Sequence, residues 1–220
     1  MLFSSLAKSL TLALLATKSV VSAIPIASQD DDNDSSSLTK RANGGSVFGY
    51  ASLNGGTTGG ASGKSVTATS LKQLQSYCSQ KGALTIYVSG AISGSGDTVD
   101  VSSDKSVIGK SGASLTNVGL SLDGVSNVII QNLSISKVKG TDAVRVQKSK
   151  NIWLDHLDVS SDQNHGKDYY DGLIDITHAC DYITVSYVHF HDHEKTSLVE
   201  LELQRSIIEI WYCSHLQQLL

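Results

Sequence analysis

Three segments share one pattern of apolar positions: Asn127-Val-Ile-Ile-Gln-Asn-Leu-Ser-Ile135, Asn151-Ile-Trp-Leu-Asp-His-Leu-Asp-Val159 and Tyr182-Ile-Thr-Val-Ser-Tyr-Val-His-Phe190. The inward set reads Val128, Ile130, Leu133, Ile135, then Ile152, Leu154, Leu157, Val159, then Ile183, Val185, Val188, Phe190. Alternation holds on each side of one break, where the phase slips by a residue. Two short strands of period two, joined by a bend, produce that pattern.

The segments start 24 and 31 residues apart, a spacing at which self-similarity signals stacked structural units. A pair of apolar residues precedes each one: Leu120/Leu122, Val144/Val146 and Ile174/Ile176. Each unit therefore carries three short strands, and successive units stack as a parallel solenoid. No proline falls between residues 42 and 199, and glycines mark turns at Gly109, Gly112, Gly119 and Gly124. Long parallel ladders need that freedom from proline, which would remove a donor from each rung. One helix is predicted near Ser70–Lys81, with Leu71, Leu74 and Cys78 on one face as a cap for the open end of the stack. A β-sandwich is the ordinary alternative, but it does not require three registers repeating in phase.

Residues 1–23 read as a secretory signal peptide: Lys8, an apolar run from Leu10 to Ala16, and small residues at Val21-Ser22-Ala23. The apolar run is too short to span a bilayer, which takes about 20 apolar residues. Residues 24–41 follow as an acidic, serine-rich stretch ending in Lys40-Arg41, a propeptide removed at the dibasic pair or a solvated linker. The chain carries 17 basic and 21 acidic side chains, net −4. Loss of residues 1–41 removes four of each and leaves that balance unchanged. With no basic run, the domain has nothing to neutralise a row of phosphates, which excludes nucleic acid as a partner. A secreted, extracellular, soluble monomer is expected, with no membrane contact in the mature form.

Three cysteines leave Cys78 and Cys180 open to one disulfide or to two buried thiols, with Cys213 in the tail. Asn132-Leu133-Ser134 is a glycosylation sequon, but its place inside a strand favours a stacked asparagine over a glycan.

The second interval is seven residues longer than the first, the excess lying in the loop Ser160–Tyr170. Functional groups gather on such insertions above a rigid stack. On the strand expected at 171–176, Asp171 and Asp175 point outward, about 13 Å apart if extended and closer if Gly172 turns the chain. Asp142 precedes the equivalent strand one unit earlier, and parallel neighbours lie only about 4.8 Å apart. Three converging carboxylates with oxygen donors alone favour Ca²⁺. His189, His191 and His193 alternate at the end of a unit, and they are expected as surface or supporting side chains, with a transition-metal site as the alternative.

Several ordered blocks carry a family resemblance: Ile152-Trp153-Leu154-Asp155-His156, Tyr170-Asp171-Gly172-Leu173-Ile174-Asp175-Ile176, Thr184-Val185-Ser186-Tyr187 and His193-Glu194-Lys195. With the start Gly49–Gly60, they resemble secreted fungal-type pectate lyases of polysaccharide lyase family 1, over about residues 46 to 199. That resemblance implies an all-β fold, a right-handed parallel β-helix over 42–199. It also implies calcium-dependent β-elimination of α-1,4-galacturonan, the polygalacturonate (pectate) of plant cell-wall pectin. By the family pattern Asp142, Asp171 and Asp175 are metal ligands and Lys195 binds a substrate carboxylate. The Trp153–His156 block is a hallmark of fold.

The family's base is an arginine in Arg-x-Pro-x-x-Arg, and these 220 residues do not contain that motif: Pro25 is their one proline. After Val199, where the family continues Gly-His-Ser-Asp, the chain reads Glu200-Leu-Glu-Leu-Gln-Arg. Residues 200–220 are expected to be a divergent tail left by a frameshift, retained intron or mispredicted exon, truncating the β-helix at its C-terminal end. Little or no turnover is expected from the chain as written. Two other readings compete: a non-catalytic pectate-binding β-helix, and a polygalacturonase-type hydrolase, whose Gly-His-Gly and Arg-Ile-Lys segments do not occur.

Overall fold

The structure, a computed structural model, describes residues 46–200 and the backbone of the strand Ile208–Trp211. The regions read as signal peptide and propeptide, and Cys213, lie outside the described residues.

Apolar alternation builds three parallel ladders. The first runs through β1 (Lys64–Ala68), β2 (Leu84–Val88), β4 (Lys105–Gly109), the leading half of β6 (Ser126–Ser136) and of β8 (Lys150–Ser160), then β10 (Asp181–Ser186) and β12 (Ile208–Trp211). The second joins the starts of β3 (Ala91–Asp100) and β5 (Ser114–Asp123) to the trailing halves of β6 and β8 and to β11 (His189–His191). The third joins the ends of β3 and β5 to β7 (Val144–Gln147) and β9 (Ile174–Thr177), with Val199 bridging Ile176 beyond it. Every named strand pairing is parallel, as a solenoid requires.

The register stacks like on like. Val128 pairs with Ile152 and Ile152 with Ile183; Ile130 pairs with Leu154 and Leu154 with Val185; Ile135 pairs with Val159 and Val159 with Phe190. On the third ladder Leu120, Val144 and Ile174 align, as do Leu122, Val146 and Ile176. All of these side chains are buried in one continuous core. The one-residue phase slip has a simple cause. Asn132, His156 and Tyr187 occupy equivalent positions and all adopt positive φ (55°, 49° and 50°), so a single left-handed residue turns the chain from the first ladder to the second. Asn127, Asn151 and Tyr182 do the same at the entry to the first ladder. Asparagine tolerates that conformation best among residues with a Cβ. The Asn132 sequon thus sits on a bend between strand halves, and the side chain is partly buried.

Helix α1 (Leu71–Cys78) forms where the spacing predicts it. Ser70 is its N-cap and accepts a hydrogen bond from the Gln73 amide, while Leu74 and Cys78 enter the core. It packs on β1, β2 and β3. Cys78 and Cys180 are both buried and free, so the first of the two cysteine alternatives, a bridge between them, is not formed. Burial pushes the Cys78 thiol up to about 12. The repeat also continues one rung past its expected end: Ile208–Trp211 pairs with Ile183–Ser186 of β10.

Outside the first ladder, Trp153 and Ile129 form a second small cluster with Ala51, covered by Val47 and Phe48. Asp155, also buried, accepts from Gln131 Nε2 (2.9 Å) and from Ser186 Oγ (2.5 Å) and meets His156 Nδ1 at 2.8 Å; Ser186 in turn accepts from Trp153 Nε1 (3.0 Å). The Trp-Leu-Asp-His block is therefore a brace that ties three successive coils and holds the segment 46–60 against them. Replacing Leu154 with Ala, in the fully buried stack, is expected to cost about 2–5 kcal/mol in urea unfolding. Leu198→Ala, at a side chain 57% exposed, is expected to stay within about 0.5 kcal/mol of wild type.

Candidate active site on the third ladder

The loop between β8 and β9 is organised by one carboxylate. Asp162 accepts from the Asn164 amide (3.1 Å) and the Tyr170 hydroxyl (2.9 Å), meets His165 Nδ1 at 2.8 Å, and lies 3.6 Å from Lys137 Nζ. The His165 hydrogen bond, first among these contacts, holds its carboxyl down at about 2. Its neighbours form an aromatic group: the His165 and Tyr169 rings stack 3.8 Å apart at 11°, and Lys139 Nζ lies 4.6 Å from the Tyr169 ring centre. A backbone bridge between Lys139 and Tyr170 closes the loop over the preceding coil.

The chain leaves this loop at Asp171. The strand expected from 171 begins at Ile174, so Asp171 lies in the approach to β9 and only Asp175 is on the strand. The Gly172 amide donates to Asp142 Oδ1 of the preceding coil (2.9 Å), and the Asp175 carboxylate folds back over the Gly172 Cα. A Cβ at position 172 would lie 2.4–2.8 Å from that carboxylate, which would have to shift to admit a side chain there. Asp175 Oδ1 also accepts from the Leu198 amide (2.8 Å), and Arg145 is its rung partner on β7.

Three carboxylates from two coils are thereby gathered on one outer face, and their charges register on each other. Asp142, only 7% exposed, is pushed up to about 6 by burial first, then by Asp175 and Asp171. Asp175 is raised as well, by burial first and by Asp171, against opposing contributions from the Leu198 amide and Lys195. Lys195 Nζ lies 3.9 Å from Asp171 Oδ1 and 3.5 Å from Asp168 Oδ1, so the fourth expected residue stands on the rim of the same group. The trio is a looser group than one in which all ligand atoms lie within 4.8 Å of one another.

The donor set fits a hard cation. All three candidate donors are carboxylates, two are fixed through backbone amides, and their mutual repulsion is what a divalent ion would relieve. Residue reading missed Arg145, whose Nη2 donates to Ser121 Oγ (3.2 Å) while its Nε is buried without a partner. It also missed Asp162. The Asp-x-Asn of residues 162–164 was the available signal, since such residues bond their own backbone two positions on. Of the three histidines, His193 goes to this region: it lines a cavity with Asp162, His165 and Tyr170, its Nε2 is buried without a partner, and burial lowers its pKa. His189 and His191 face elsewhere, with Asp158.

A family model described as pectate lyase matches residues 34–202, and the chain belongs to that family. Pectate lyase plyB of Emericella nidulans is 48% identical over 184 residues, covering 82% of this chain and 56% of that protein. A probable pectate lyase B of Aspergillus terreus is 46% identical over 188 residues, covering 84% and 58%. Among solved structures, a Bacillus pectate lyase in complex with trigalacturonate superposes with a TM-score of 0.68 at 33% identity, over 76% of this chain and 62% of that one. The chain thus spans a little over half the length of these curated relatives. No helix among the described residues is long and apolar enough to cross a membrane.

Asp142 supplies a pH test. The folded chain holds its proton more tightly than the unfolded chain does. The associated stability is complete below 3.8 and is lost as pH rises through about 6. In chelator-treated protein, Asp142→Asn is expected to unfold about 2–4 °C above wild type at pH 8 and to lose that advantage near pH 4. Parallel melting curves across this range would show that the carboxylate carries no such cost.

Proposed function

We propose that this chain binds pectate through calcium and Lys195, as part of a lyase that cleaves α-1,4-galacturonan by β-elimination. The observation that carries the reading is the gathering of Asp142, Asp175 and Asp171 from two coils beside Lys195, with the desolvated Asp142 pushed up to about 6. Family membership supports the same substrate.

Asp142, Asp171 and Asp175 would hold the ion. Bound there, calcium supplies a positive charge against which a galacturonate carboxylate is neutralised and its α-proton acidified. Lys195 adds a second positive charge for that carboxylate and is available to substrate at the price of a weak pair with Asp171, since its side chain is 42% exposed. Proton abstraction at C5 needs a base, and the arginine motif that the family uses for it is not among these 220 residues. The 220-residue polypeptide is therefore a binder with slow turnover at best.

The extracellular setting follows the same proposal. Residues 1–23 act as the signal, and removal of 24–41 leaves a mature chain that begins at Ala42 and acts as a monomer. N-terminal sequencing of the protein recovered from culture medium is expected to read Ala42-Asn43-Gly44; a start at Ile24 would retain the acidic stretch as a linker.

Binding is tested with the 220-residue chain and polygalacturonate, in calcium and in chelator. Retention is expected in calcium only. Lys195→Ala is expected to weaken it about 10- to 100-fold, the range for a lost hydrogen bond to a charged group. Equal binding in chelator would overturn the calcium role. Rapid release of unsaturated products absorbing in the near ultraviolet would overturn the slow-turnover reading.

A further inference from the structure

On the second ladder, away from the acidic face, one coil presents two imidazoles and its neighbour a carboxylate. His189 and His191 alternate on β11, so both side chains leave the same face of the strand. Asp158 of β8 is the rung partner of His189, and His191 is two pairs further on, opposite Ser160. Asp158 Oδ1 lies 2.8 Å from His191 Nε2, and Asp158 Oδ2 lies 3.9 Å from His189 Nδ1. One ligand atom from each of the three residues falls within 4.8 Å of the other two. Ligands about 2.0–2.2 Å from a shared zinc ion stand a little over 3 Å apart, so small rotations of these exposed side chains complete the site.

We propose that Asp158, His189 and His191 form a second metal site, selective for a divalent transition ion such as zinc over calcium. Two imidazole nitrogens and one carboxylate suit that class of ion, whereas calcium takes oxygen donors.

A second carboxylate supports His191 from behind, and zinc at Nε2 would displace the proton that the two carboxylates otherwise hold on the ring. Asp192 Oδ2 lies 2.8 Å from His191 Nδ1, so a carboxylate stands behind the ring and leaves Nε2 directed at Asp158. That carboxylate–histidine arrangement fixes the tautomer and orientation of metal-bound histidines and raises their basicity. The two rings lie stacked 4.5 Å apart at 20°, held in one orientation while their edges stay open to solvent. Water fills the remaining coordination positions. The ion would clip β11 to β8, reinforcing an edge where the second ladder has only a three-residue strand. The site is independent of the pectate reading, because none of its residues belongs to the acidic face.

The test is a zinc titration of the full 220-residue chain at pH 7.5 by calorimetry, with calcium in excess to occupy the acidic face. Cobalt substitution is read in parallel by its visible absorption. One zinc per chain is expected, together with a rise in melting temperature. His189→Ala and His191→Ala are each expected to weaken zinc at least tenfold, and Asp192→Asn to weaken it about 10- to 100-fold. Asp175→Asn should leave zinc affinity unchanged. Circular dichroism confirms that each variant folds. Failure of the folded wild type to take up zinc would overturn the proposal, as would undiminished zinc binding by the double variant His189→Ala/His191→Ala.

Discussion

Parallel register between successive coils is the constraint that the rest of this molecule obeys. Each strand is hydrogen-bonded to its equivalent one coil away, so every side chain has its counterpart about 4.8 Å along the stack. Inside, that rule places Ile130 over Leu154 over Val185, and in a neighbouring column it places the buried Lys105 between Leu84 and Val128, with its Nζ donating to the Gly82 and Ser103 carbonyls. Outside, it obliges like groups to meet, whether as the Gln131, Asp155 and Ser186 brace or as the Ser121, Arg145 and Asp175 row. A register shift of one residue would turn every apolar side chain outward, so hydrophobic burial fixes the positions of the charges.

The acidic face is where that rigidity becomes chemically useful. Free carboxylates would separate, but Asp142, which leads into β7, is tied to the Gly172 amide, and Asp175, on β9, is tied to the Leu198 amide. Burial first, and repulsion after it, raise their affinity for protons, and a divalent cation would compete for the same sites. The pairing of Lys195 with Asp168 and Asp171 keeps the cation on the rim, on the side a polyanionic chain would approach. The second ladder repeats the principle with different donors, imidazoles on one coil opposite a carboxylate on the next.

Much of this could be read before any coordinates. The inward residues were legible because strands alternate strictly, and the three-strand coil was legible because two intervals kept their phase. Even the bend announced itself as a slip of one position, now seen as the left-handed residues Asn132, His156 and Tyr187. Asp142 and Asp175 could be placed from ladder positions alone. Asp171 was harder, because it lies ahead of the regular backbone of β9. Loop contacts escaped entirely: nothing periodic connects Asp162 to Tyr170, or Asp192 to the far nitrogen of His191. Asp158 was invisible as a partner of His189 for a different reason. It was counted as an outward position of a repeat, while its role depends on which rung of the neighbouring coil it meets. The rung at Ile208–Trp211 was also missed, since one short alternation after a break in the repeat carries too little signal.

The central claim is that stacked coils bring Asp142, Asp171 and Asp175 to one divalent ion. Crystals of the 220-residue chain grown in calcium test it most directly, through the anomalous signal of the ion. A single site is predicted, with oxygens of all three aspartates about 2.3–2.6 Å from it. Calcium bound elsewhere, or these three side chains turned to separate faces of the stack, would contradict the account.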